Sequence, residues 1–113
     1  MIWAFDEERN LMQEVDLVAL DAALAAGAPV IDVREADEYA RGHVPGVRLI
    51  PLGELVSRID EVPAAPTVYV ICAMGGRSAH GASLLGAAGI NAVNVAGGTD
   101  AWINSGRSVE SGA

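Results

Sequence analysis

The chain has 113 residues, 51% of them hydrophobic, with one cysteine and a formal net charge of −8. Such a length and apolar content hold one domain with a single buried core and exclude a disordered chain. The acidic balance, in which all seven basic residues are arginine, argues against nucleic acid or an anionic membrane surface as a partner.

One cysteine rules out an internal disulfide and fits a reducing compartment. No apolar run is long enough to span a bilayer. The first residues are acidic, unlike a secretion signal, so a cytoplasmic location is expected. Residues 1–10 carry Trp3 and Phe5, then Asp6, Glu7, Glu8 and Arg9. They read as a terminal tail, or as an arm docked through its aromatics. A single domain is expected over residues 11–109, followed by a C-terminal tail, 110–113.

Residues 12–15 read as a short strand. Asp16 is a suitable N-cap for a helix over 17–26, whose apolar stripe is Leu17, Val18, Leu20, Ala23 and Leu24. Gly27 and Pro29 stop it. Val30-Ile31-Asp32-Val33 is then a strand apolar enough for burial on both faces. Asp32 interrupts it and is expected to be a buried structural carboxylate, paired or accepting backbone N–H groups. Arg34 follows, placed to reach a site at the strand ends. Glu35, Asp37 and Glu38 crowd a first helical turn, with Arg41 in the last turn and Gly42 as its end. His43 lies in Gly42-His43-Val44-Pro45-Gly46. It reads as a loop histidine that fixes the turn rather than as a general base.

Residues 47–50 form another short strand closed by Pro51, and Leu52, Leu55, Val56 and Ile59 show helical spacing. The central stretch comes next. Thr67 to Ser78 reads TVYVICAMGGRS. Val68-Tyr69-Val70-Ile71 has the composition of a buried strand, and it stops at Cys72. Ala73, Met74, Gly75 and Gly76 make a flexible loop, and Arg77 and Ser78 open a helix reaching to about Ala88. His80 on that helix is expected to face solvent. Ala92 to Val95 is the last strand, and Thr99 is expected to cap a short helix carrying a core Trp102. Five short strands alternating with helices argue a parallel α/β sheet covered on both faces.

The strand–loop–helix around Cys72 favours a reactive thiolate. A helix N-terminus presents unpaired N–H groups and partial positive charge. A glycine-containing loop can turn its own N–H groups inward as an anion cradle. Arg77 adds a charge fixed near neutral pH. These features lower a thiol pKa and make the nucleophile. The alternative is a buried structural cysteine at a strand end, but two glycines and an arginine contribute little to a core. One cysteine and two scattered histidines make no metal set, and no cofactor is expected.

Cys72-Ala73-Met74-Gly75-Gly76-Arg77-Ser78 resembles the active-site loop of the single-domain rhodanese family. Asp32-Val33-Arg34, Glu38-Tyr39 and Gly42-His43-Val44-Pro45-Gly46 resemble that family's first signature, and Ile50-Pro51-Leu52 the segment after it. Gly97-Gly98, Ala101-Trp102 and Gly106 resemble its closing signature. The pieces fall in family order from Val15 to about Val109. The resemblance implies a rhodanese-like fold and sulfur transfer. Cys72 would take the outer sulfur of an anionic donor such as thiosulfate, carry it as a persulfide, and pass it to cyanide, a thiol or a protein acceptor. Ala73, Met74, Gly75, Gly76, Arg77 and Ser78 would bind substrate, with Arg34 assisting and Asp32 and His43 structural.

Cys-x4-Arg is one residue shorter than the Cys-x5-Arg loop of related phosphatases. A tighter cradle fits a persulfide sulfur better than a phosphoester. A cysteine-dependent phosphatase or arsenate reductase therefore stands behind sulfur transfer, as does a non-enzymatic module that binds a partner. The expected assembly is a monomer or weak dimer. Met74, bulky and apolar at the lip, is expected to bias the mouth towards a protein or a larger thiol partner, or merely to pack.

Overall fold

A computed structural model describes residues 13–113. The expectations for residues 1–10 and for Met12 lie outside the described residues. In chain order the elements are β1 (Gln13–Val15), α1 (Leu17–Ala25), β2 (Val30–Asp32), α2 (Ala36–Arg41) and β3 (Arg48–Leu49). Two single 3₁₀ turns follow (Leu52–Glu54 and Ile59–Glu61), then β4 (Val68–Ile71), α3 (Gly76–Ala87), β5 (Ala92–Val95) and α4 (Gly98–Asn104). The five strands form one parallel sheet in the order β1-β5-β4-β2-β3. β4 is therefore central, and every strand ends on the same edge.

The β pleat divides the apolar residues between two cores. Val68, Val70 and Cys72 face one side with Ile31 and Val33, covered by Ala82 and Leu85 of α3 and by Leu55. Ile71 faces the other with Val30 and Val95, covered by Leu20 of α1 and Trp102 of α4, with Tyr39 of α2 packed alongside. Burial on both faces explains why β2 and β4 are apolar without alternation. Side chains such as Ile31, Leu55, Val70 and Leu85 are fully buried. Each contributes about 2 kcal/mol of burial free energy. At the start of α1 the Asp16 carboxylate accepts the Ala19 N–H at 3.0 Å, as an N-cap should.

The structure departs from the periodicity in three places. Residues 52–59 do not form an α-helix; they make two 3₁₀ turns joined by irregular turns. Gly53, Val56 and Ser57 are weak helix formers, and the segment is too short for its apolar face to override them. Arg58 instead ties the turns together through Glu54 and Glu61. Second, Thr99 does not cap α4. Gly97 holds the cap position with φ 78°, and Thr99 lies inside the first turn. Third, α3 begins two residues before Ser78, at Gly76. At the C-terminus, the Glu110 N–H donates to the His43 carbonyl at 2.9 Å and the Gly112 N–H to that of Ala40 at 2.8 Å. Residues 110–112 are thus bound to the domain.

Candidate active site

Cys72 follows β4 directly at the C-terminal edge of the sheet, the edge at which open α/β sheets bind ligands. Its residue keeps 1% of its surface exposed. The chain then turns sharply enough for the Gly75 N–H to donate back to Cys72 Sγ at 3.1 Å. Gly75 achieves this with φ 112°, a left-handed conformation that strains any residue with a Cβ. From Gly76 the chain enters α3, aiming that helix's N-terminus at the sulfur. The Ser78 hydroxyl, in the first turn, donates to Sγ at 3.1 Å.

α4 holds the loop from the opposite side. The N–H groups of Thr99 and Asp100 donate to the carbonyls of Cys72 and Ala73 at 2.8 and 2.9 Å. Both loop carbonyls are thereby turned away from the sulfur. The approach is so close that a Cβ on Gly98 would lie 2.5 Å from the Cys72 oxygen and 2.6 Å from that of Ala73. This contact explains Gly98; a Cβ on Gly97 would instead lie 2.8 Å from Ala101 Cβ.

Burial disfavours the thiolate. The Ser78 hydroxyl and the N–H groups of Ser78, Gly75 and Met74 outweigh that penalty and bring the Cys72 thiol below its ordinary range. The sulfur therefore sits where an anion is held, though little of it reaches solvent. Met74 stands out at the loop's lip with 75% of its surface exposed.

Arg77 belongs to the loop but is not a free cation. Its Nη1 and Nη2 donate to Glu38 Oε1 and Oε2 at 2.8 and 2.9 Å, a two-pronged pair between α3 and α2. The guanidinium holds the Glu38 carboxyl down at about 2, and the Glu35 N–H contributes less. Arg77 is correspondingly pushed up, mainly by Glu38, with the Cys72 charge a smaller influence. From the sequence Glu38 is one of several acidic groups dressing a helix start, a role it also fills, since its side chain accepts the Glu35 N–H at 2.9 Å. Nothing local in the sequence pairs it with a residue 39 positions on.

Asn94 was missed as well. The register places Glu14, Asn94 and Val70 in one row across β1, β5 and β4, on the face that carries Cys72. Asn94 is fully buried. Its Oδ1 lies 2.5 Å from Ser78 Oγ, and its Nδ2 donates to Glu14 Oε2 at 2.8 Å and to the Gly75 carbonyl at 3.2 Å. The available signal was a buried-strand pattern, Ala92-Val93-Asn94-Val95, broken by one amide.

Arg34 requires a correction as a substrate-binding candidate. It is 5% exposed, and its guanidinium donates to Asp32 through Nε and Nη2, to the Gly42 carbonyl at 2.9 Å and to that of Glu38 at 3.4 Å. The pleat is the reason: Asp32 projects with Val30 to the face opposite Cys72, and Arg34 folds back onto it. Together they tie β2 to α2. His43 is buried, stacked on Tyr39 with ring centroids 3.6 Å apart, and its Nδ1 lies 2.8 Å from the Tyr39 carbonyl. Both are building elements of the α2 turn. His80 is exposed on α3.

Among the described residues, no His, Cys, Asp and Glu side chains gather as a metal set, and no helix is long and apolar enough to cross a membrane.

Comparison with known proteins places this geometry. The model of the rhodanese-like domain matches residues 16–105. A Bacillus subtilis protein provisionally named as a sulfur carrier is 40% identical over 74 residues, 65% of this chain and 40% of its own length. The chain spans less than two thirds of that relative. A sulfurtransferase of Allochromatium vinosum is 30% identical over 85% of this chain and 92% of its own. The rhodanese-like domain protein of Staphylococcus aureus superposes with a TM-score of 0.79 at 32% identity, covering 90% of this chain and all of the other. A thiosulfate sulfurtransferase of Pseudomonas aeruginosa gives 0.82 at 31% identity, covering 95% of this chain and 22% of that one. With its parallel sheet, its cysteine loop and a family match across nearly all the described residues, the chain belongs to the rhodanese-like domain family.

Proposed function

We propose that this domain moves a sulfane sulfur from an anionic donor to a thiophilic acceptor through a persulfide on Cys72. The Cys72 thiolate attacks the outer sulfur of the donor. The donor's S–S bond breaks and its electron pair leaves with the remaining fragment, sulfite when thiosulfate is the donor. Cyanide or a thiolate then attacks the outer sulfur of the persulfide and releases the Cys72 thiolate. This is covalent catalysis in two half-reactions, with no cofactor.

The observation that carries the reading is a thiol inside a ring of N–H donors at a helix N-terminus, 1% exposed. A cradle that tight admits a terminal sulfur atom more readily than a tetrahedral phosphoester, which favours sulfur transfer over phosphatase or arsenate reductase chemistry. Ala73, Met74, Gly75, Gly76, Arg77 and Ser78 form the persulfide's surroundings in this scheme, Arg77 with its charge shared by Glu38. The donor class is thiosulfate or a persulfide, the acceptor a small thiol or a protein. The setting is the reducing cytoplasm, where a lone reactive thiol persists, and the domain acts as a monomer or weak dimer.

Intact mass tests this. Incubation with thiosulfate should add one sulfur atom, cyanide should remove it, and Cys72→Ser should show neither. A protein that gains no sulfur from thiosulfate or from an alkyl persulfide overturns the proposal.

A further inference from the structure

Ser78 has one hydroxyl proton and two acceptors. Its Oγ lies 3.1 Å from Cys72 Sγ and 2.5 Å from Asn94 Oδ1, and a hydroxyl can donate to only one of them. Asn94 cannot relieve the conflict by turning its amide over. Its Nδ2 faces two acceptors, the Glu14 carboxylate at 2.8 Å and the Gly75 carbonyl at 3.2 Å, so the NH₂ end is pinned there and the oxygen faces Ser78.

We propose that Asn94 is a positioning residue that competes with Cys72 for the Ser78 proton, with Glu14 and the Gly75 carbonyl holding its amide in the competing orientation. This rests on the reading of Cys72 as the nucleophile. With a neutral thiol, the Ser78 hydroxyl donates to Asn94 and its oxygen is free to accept the S–H. When the thiol ionises, its proton leaves to water and the hydroxyl proton rotates onto Sγ. Two oxygens, Ser78 Oγ and Asn94 Oδ1, are then left in contact with no proton between them. Asn94 thus opposes the thiolate that the loop's N–H groups favour. The benefit is chemical. A thiolate over-stabilised by N–H donors is a weak nucleophile, and attack is fastest for a thiol whose pKa lies near the ambient pH.

The charged groups around the sulfur do not duplicate this effect. Arg77 of α3 is paired to Glu38 of α2. Asp32 and Arg34 at β2 pair with each other. α4 offers the loop two backbone N–H groups, with Asp100 exposed, and His80 of α3 is exposed too. Glu14 of β1 is the carboxylate that reaches Asn94.

The test is the rate of Cys72 alkylation by iodoacetamide against pH, in the full chain. Asn94→Leu should lower the midpoint by about one pH unit, an about tenfold larger thiolate fraction below it. Ser78→Ala should raise it. Adding Asn94→Leu to Ser78→Ala should change nothing further. An unmoved or raised midpoint in Asn94→Leu overturns the proposal, as does an equal drop in the Ser78→Ala background. If Asn94→Leu does not fold, Glu14 decides. Glu14→Gln removes the charge but keeps an acceptor for Nδ2, whereas Glu14→Leu removes the shorter of the two contacts that hold the NH₂ end and weakens the competing orientation. A lower midpoint in Glu14→Leu than in Glu14→Gln supports the competition, and equal midpoints overturn it. Alkylation needs no sulfur donor, so a failed persulfide assay with these shifts intact refutes sulfur transfer alone.

Discussion

Replacing Glu38 by Gln separates the charge of the Glu38–Arg77 pair from its shape. Gln keeps one oxygen for the Glu35 N–H and Arg77 Nη1, so the start of α2 stays capped while the charge and the Nη2 bond are lost. The Glu38 carboxyl sits at about 2 against an ordinary 4.5, which at face value corresponds to about 3 kcal/mol at neutral pH. Solvent screens much of that. The Glu38 side chain keeps 23% exposure and that of Arg77 40%, and a pair this open contributes about 1 kcal/mol. The sign follows from a carboxyl held below its unfolded value. Its stabilisation is complete above about pH 4.5 and fades as pH falls towards 2. Glu38→Gln should therefore cost about 1 kcal/mol in urea unfolding at pH 7, with the difference shrinking steadily below pH 4.5. A loss under about 0.3 kcal/mol at pH 7, or one that persists unchanged at the acid end, refutes the assignment of Arg77's charge to Glu38. The substitution also leaves Arg77 unopposed at the mouth of the site. The KM for thiosulfate should fall by about threefold to tenfold, the effect of about 1 kcal/mol of added attraction for an anion. A KM that stays put or rises means that Arg77 does not face the donor.

The remaining predictions concern the rest of the site. Arg34→Met strands the Asp32 carboxylate in the interior and should cost about 3–5 kcal/mol in denaturant unfolding; a loss under about 1 kcal/mol removes Arg34 from its structural role. Gly98→Ala would place a methyl 2.5 Å from the Cys72 carbonyl, so the loop must shift. It should destabilise the domain by about 3 kcal/mol and slow alkylation of Cys72, and wild-type alkylation would contradict the close packing of α4 on the loop. Because the Cys72 thiol is lowered on folding, native stability relative to Cys72→Ser should grow as pH rises through the folded midpoint to the ordinary thiol range, about 8.5. A flat difference across that window would mean that the cradle does not favour the thiolate.

The chemistry of the loop is legible because it is local. A β-branched run, one cysteine, small residues and an arginine succeed one another within a dozen positions, and each carries its own conformational preference. The fold class is legible for the same reason: apolar strands without alternation mean burial on both faces. The groups that tune the site come from elsewhere and leave little trace. Glu38 reads as helix dressing because its acidic neighbours do. Its distinction, a reach across to Arg77, depends on where α2 lies against α3. Arg34 misleads in the opposite sense. It stands at the correct end of β2, but the pleat puts Asp32 on the far face and draws the guanidinium after it. Thr99 looks like a cap from composition alone. The close approach of α4 to the loop demands glycine at 98, which moves the helix start back and leaves the buried Thr99 hydroxyl without a partner.

Two helix ends of different kinds thus shape one thiol. α3 aims its N–H groups at the sulfur and favours its charge directly. α4 aims its own at the carbonyls of Cys72 and Ala73 and acts only on the loop's shape, turning those oxygens away so that the N–H groups can face inward. The first effect depends on the thiolate and disappears when Cys72 is alkylated or replaced. The second persists in Cys72→Ser, because no sulfur takes part in it. Amide hydrogen exchange of Thr99 and Asp100 should therefore remain as slow in Cys72→Ser as in the wild type, while the Gly75 amide, bonded to Sγ at 3.1 Å, should exchange faster. If all three amides sped up together, the loop would be held by its sulfur and not by α4.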